Sequence, residues 1–178
     1  MIVIMGPGRC GTTLIVRILQ HMGYDTGGAH EIFREKRKEI RRQPRFKWPY
    51  VVKGTGTLCH GLNDWIREKG WDVEVVIFCV RNLEANIRSM IKKKKGHRLY
   101  RQDNVEDIIR EEVIRTYAAA REQLKEGKFP HVEIEFPRSA QDMEYCYMVL
   151  SSAINGLDRD KFVSAWVSIV NPAKIRNG

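Results

Sequence analysis

Ile2-Val3-Ile4-Met5-Gly6-Pro7-Gly8-Arg9-Cys10-Gly11-Thr12-Thr13 runs from an apolar segment through a glycine-rich turn toward a helix. Residues 2–5 predict a short strand. Beyond the turn, Leu14, Ile15, Ile18, Leu19 and Met22 recur at helical spacing, and Gly23 ends the pattern. Strand, glycine-rich loop and helix in this order form the context that a phosphate-binding loop requires. Glycines let the backbone turn sharply and bring several N–H groups toward one anion. The helix N-terminus adds the positive end of its dipole. Thr12 and Thr13 supply hydroxyl donors and Arg9 a cation. The competing reading of the stretch is a glycine-rich turn with no ligand.

Outward from this loop the chain alternates strand and helix. Residues 50–53 (Tyr-Val-Val-Lys) predict a second strand, followed by Gly54-Thr55-Gly56 and a helix near 58–69. Residues 73–80 (Val-Glu-Val-Val-Ile-Phe-Cys-Val) carry the strongest strand signal, and their near-continuous apolar character predicts a central parallel strand buried on both faces. Helices are predicted over 83–94 and 104–126, a fourth strand over 131–135, and helices near 139–154 and 158–168 with Gly156 between them. Repeated β-then-α units predict an α/β fold of the P-loop NTPase-like kind, a three-layer arrangement with a parallel sheet flanked by helices. Its crossovers should be right-handed, and ligands should bind at the carboxyl ends of its strands.

A chain of 178 residues fits one domain. Residues 34–47, rich in Arg, Lys and Glu, read as an exposed basic insertion, helical or lid-like. With 43% apolar and 30% charged residues, the composition excludes a disordered chain. No apolar run reaches about 18 residues, so no transmembrane helix and no membrane partner are expected. The first residues lack the basic start and cleavage site of a signal peptide, which predicts a cytoplasmic protein. Cys10, Cys59, Cys79 and Cys146 show no CxxC pair or metal-ligand rhythm, so reduced thiols are expected. The formal charge of +9 favours an anionic partner: a nucleotide, a nucleic acid or an acidic acceptor. The basic stretches 34–47 and 92–101 are either solvated faces or a funnel for such an anion. Phe46, Trp48 and Tyr50 after the first stretch leave room for nucleic acid, but no nucleic-acid-binding motif accompanies them.

The GxxxxG spacing of Gly6 to Gly11 matches an ATP-type P-loop, yet Thr12-Thr13 stands where Lys-Ser or Lys-Thr belongs. The cation has moved upstream, to Arg9. In this form Arg9-Cys10-Gly11-Thr12-Thr13 resembles the 5′-phosphosulfate-binding motif of the sulfotransferases, with Cys10 in place of the usual serine. A second likeness is Arg81, just after the buried strand, with Ser89 eight residues on, as in the family's 3′-phosphate site. Eight helical residues separate the two by roughly 10 Å along the axis, within reach of one nucleotide. Read singly, Arg81 could be an ion-pairing residue at a helix start and Ser89 a solvated serine. Residues 132–136, with Gly156-Leu157 beyond, resemble the family's late strand–helix segment. The basic C-terminal loop of many members has no clear counterpart, although Lys174 and Arg176 lie in the tail.

The resemblance implies a PAPS-dependent sulfotransferase. The donor would be 3′-phosphoadenosine-5′-phosphosulfate (PAPS), the product 3′,5′-adenosine bisphosphate, and the acceptor a hydroxyl or amine on a small molecule or carbohydrate, with no metal. It assigns donor binding to Gly8, Arg9, Cys10, Gly11, Thr12, Thr13, Arg81 and Ser89. Arg9 is the first choice for stabilising charge on the transferring group, and Lys53 at the end of its strand the second. Glu31, His60 and His30, in that order, are candidates for the general base. Two other classes stay open: a nucleotide kinase or NTPase with a degenerate P-loop, and a non-catalytic module that binds a phosphorylated ligand or nucleic acid.

Overall fold

The computed structural model describes residues 1–27, 48–94 and 104–170. Four strands alternate with helices: β1 (Ile2–Met5), α1 (Thr12–His21), β2 (Val51–Gly54), α2 (Gly56–Lys69), β3 (Val75–Arg81), α3 (Leu83–Lys94), α4 (Val105–Gly127), β4 (His131–Phe136), α5 (Arg138–Gln141), α6 (Met143–Ala153) and α7 (Arg159–Ile169). The fold is α/β, with an all-parallel sheet in the order β2-β1-β3-β4. The basic stretch 34–47 lies outside the described residues.

β1 and β3 are central and, except for Arg81 at the end of β3, apolar, because both faces of each are covered. Val3, Ile4, Met5, Val76, Ile77 and Phe78 have no measurable exposure. β4 at the sheet edge alternates instead, burying Ile134 while Glu133 and Glu135 face water. Each fully buried side chain of this kind contributes about 1.5–3 kcal/mol relative to exposure. The order reverses direction after β2, so right-handed crossovers send α1 to one face and α2, α3 and α4 to the other. Helix contacts agree: α1 packs on α7, whereas α2 and α3 pack on α4. Every strand ends at the same edge, which collects the loops after β1, β2 and β3.

Two local devices depart from the simple periodic reading. The helix predicted near 139–154 is two helices, α5 and α6, broken at Asp142, where the backbone is extended. The Asp142 carboxylate accepts from the Tyr145 N–H at 2.9 Å, so it caps a new helix rather than continuing the old one. Asn82 does the same for α3, accepting from the Ala85 N–H at 3.1 Å. Gly23 ends α1 in the left-handed region at φ 94°, as its place in the sequence predicts.

Candidate functional site

The loop after β1 is seated on three neighbours. A Cβ on Gly6 would run into the backbone carbonyl oxygen of Cys79 in β3. One on Gly8 would lie 3.2 Å from Met90 Sδ of α3. One on Gly11 would lie 2.8 Å from the Phe136 ring at the end of β4, and Gly11 sits at φ 84°. The glycines therefore serve close backbone approach as well as turning. No side chain caps α1, whose first turn starts directly from Gly11. Its leading N–H groups point out of the helix toward the loop.

Cys10 turns inward. It is buried, the Asn86 amide Nδ2 donates to its Sγ at 2.9 Å, and the Tyr117 hydroxyl lies 3.1 Å away. Burial pushes the thiol up to about 11, against the lowering effect of Tyr117, Arg81 and Asn86. It is therefore protonated at neutral pH and acts as a packing group rather than a nucleophile. All four cysteines are free and buried.

Tyr117 of α4 ties this thiol to the end of β3. Its hydroxyl accepts from the Arg81 N–H at 2.9 Å and donates to the Arg81 carbonyl, also at 2.9 Å. Asn86 Nδ2 approaches the same oxygen at 3.2 Å. One hydroxyl thus bonds both backbone groups of Arg81. Tyr117→Phe should strand those groups and cost about 1–3 kcal/mol, read as a lower urea midpoint with unchanged m-value. An unchanged midpoint would show that water or a shifted Asn86 replaces the hydroxyl.

Arg81 is 8% exposed, under a thin cover rather than in the deep core. Its Nη1 donates to the Arg9 carbonyl at 3.3 Å, and its guanidinium lies 5.2 Å from the Phe136 ring centroid. Its Nε is buried and has no hydrogen-bond partner among the described residues. Burial lowers the Arg81 pKa, and the nearby charges of Arg9 and Arg88 lower it further. An arginine nonetheless stays charged. The exposed side chain of Arg9 reaches α3, where its Nε donates to Ser89 Oγ at 3.3 Å. No described carboxylate forms an ion pair with Arg9 or Arg81.

Lys53 is 4% exposed, so it is not the ordinary solvated lysine that its type suggests. Its Nζ donates to Thr13 Oγ1 at 2.8 Å, which puts an ammonium beside the first turn of α1. Thr12 is buried beside it.

The sequence-predicted residues divide accordingly. Gly8, Arg9, Cys10, Gly11, Thr12, Thr13, Lys53, Arg81 and Ser89 converge on one sheet edge. The loop after β1 and the segment Arg81–Ser89 are in direct contact through Arg9, rather than set apart. His60 is exposed on α2, and its Nε2 lies 3.4 Å from Thr116 Oγ1 of α4. Glu31, His30, Lys174 and Arg176 lie outside the described residues. Asn86 and Tyr117 are the residues that motif reading passes over. Tyr117 continues the apolar stripe Ile109, Val113, Ala120 and Leu124, and reads as core. Asn86 gives one signal: it is a polar residue between Ala85 and Ile87, one helical turn before Ser89 and Met90.

Compared with known proteins, the chain matches no family model and no curated protein.

Proposed function

We propose that this chain is a PAPS-dependent sulfotransferase, moving a sulfuryl group to a hydroxyl or amine acceptor. The observation that carries the reading is Arg81: a buried guanidinium with an unpartnered Nε, beside a second guanidinium and without a carboxylate. Buried charges are normally paired, so this arrangement fits an anionic ligand. Arg81 and Ser89 fit a 3′-phosphate. Gly8, Cys10 and Gly11 shape the loop, and Thr12, Thr13 and Lys53 fit the phosphosulfate end. The donor supplies an activated sulfuryl group. The chain's own residues orient it, neutralise charge that builds on the leaving phosphate, and keep water away. Glu31, His60 and His30 are the candidates for taking the acceptor's proton. A carbohydrate hydroxyl is one such acceptor.

The rival kinase or NTPase reading needs a hydroxyl after the loop to ligate Mg²⁺. Here Thr13 Oγ1 accepts a hydrogen bond from the Lys53 ammonium, a cation that competes with a metal for that oxygen. This favours sulfuryl over phosphoryl transfer. A phospholigand-binding module would share the anion site and lack only turnover.

Thermal unfolding with ligand tests the reading. At 100 times its Kd, 3′,5′-adenosine bisphosphate should stabilise the protein by about 2.7 kcal/mol. For a domain of this size that raises Tm by about 5–10 °C. ATP with Mg²⁺ should do markedly less. Stronger stabilisation by ATP–Mg²⁺ would favour the NTPase reading, and no shift with either nucleotide would remove both.

A further inference from the structure

We infer that Arg9 serves the second phosphate of the nucleotide, as a third member of a pocket with Arg81 and Ser89, and not the transferring group. The inference rests on the donor-binding reading above and reassigns one residue within it. Arg9 is one of two described non-glycine residues with positive φ, at 72°. That left-handed turn strains an ordinary side chain, and it is held here by neighbours on both sides. Gly8 just before it is pressed against Met90 of α3, and the Arg9 carbonyl accepts from Arg81. The turn carries the Arg9 side chain to Ser89 Oγ of α3.

Charge placement makes the same division. Lys53 already brings a cation to Thr13, where α1 begins. Arg9 instead reaches Ser89 Oγ, and its charge acts on Arg81, which holds the Arg9 carbonyl and keeps its own Nε buried and unpartnered. Two planar guanidiniums and a hydroxyl are the donors that recognise a phosphate monoester dianion. A 5′-mononucleotide has nothing to offer this pocket. Arg9 is thus a specificity-determining residue that distinguishes 3′-phosphorylated nucleotides from ordinary ones.

Calorimetric titration of the wild type, Arg9→Asn and Arg9→Lys with 3′,5′-adenosine bisphosphate and with 5′-AMP tests this. Asn is chosen because it tolerates the left-handed region while removing the charge. Arg9→Asn should weaken the bisphosphate by about 10- to 100-fold, the loss of one charge-assisted hydrogen bond. Its affinity for 5′-AMP should stay within about 3-fold, a small energy on this scale. Arg9→Lys should recover part of the preference. Equal losses for both nucleotides would place Arg9 at the 5′ end and overturn the inference, as would an unchanged preference in Arg9→Asn. A wild type without preference for the bisphosphate would instead remove the donor-binding reading, and this assignment with it.

Discussion

Lys53→Met should, under the proposed sulfotransferase function, lower the rate of sulfuryl transfer by about 10²- to 10³-fold, the usual effect of removing one fixed donor from developing charge. Affinity for 3′,5′-adenosine bisphosphate should hardly change, because that product lacks the transferring group. The split follows from position. Lys53 is the penultimate residue of β2, in register with Ile4 of β1, is almost wholly buried, and donates from its ammonium to Thr13 on the first turn of α1. Methionine keeps the length and apolar stem of the side chain and deletes the charge. The variant loses one hydrogen bond from a charged donor, a cost of about 1.5–3 kcal/mol that a domain of this size can bear while folded. Single-turnover transfer of label from radiolabelled PAPS to a panel of hydroxyl and amine acceptors measures the rate. Titration with the bisphosphate measures binding. A rate equal to wild type would make Lys53 a structural lysine that merely fastens α1 to β2. Equal losses in rate and product affinity would place it at a ground-state contact.

Gly6→Ala should cost about 3 kcal/mol or more, near the upper end for overpacking substitutions. The added methyl group would meet the carbonyl oxygen of Cys79, which is backbone and not the end of a flexible side chain. That carbonyl belongs to β3, which is paired with β1 on one side and β4 on the other. Neither β3 nor the loop can yield without breaking ladder hydrogen bonds. Gly56→Ala is the matched control. Gly56 opens α2, its Cβ would meet nothing within 4 Å, and its φ is not positive. Alanine there should be neutral or stabilise by about 0.4–1 kcal/mol through the unfolded chain. Urea unfolding of the two variants side by side reads the contrast. Similar midpoints would mean that the loop after β1 can move away from β3, and the close seating would lose its role in shaping the loop.

The architecture was legible because it is written in short-range pattern. The unbroken apolar run of β3 demands cover on both faces, and the i, i+3, i+4 spacing after Gly11 demands one buried helix face. Right-handed crossovers then leave few ways to arrange four strands. The break at Asp142 was missed because apolar spacing runs on across it. The cap there depends on a single carboxylate turning back to Tyr145, a competition that periodicity does not register.

By itself the sequence determined the α/β alternation, the phosphate-loop-like turn at residues 6–13, and the placement of Arg9, Lys53 and Arg81 at carboxyl ends of strands. These are consequences of local order along the chain. Only the tertiary structure decided which way those side chains face. Arg9 leans on Ser89, Lys53 sinks against Thr13, and His60 meets Thr116. Cys10, Asn86 and Tyr117, distant in sequence, close into one buried network beneath Arg81. The reason is physical: a side chain's direction and partners are set by what packing leaves buried and unpaired. That balance exists only once strands and helices have come together.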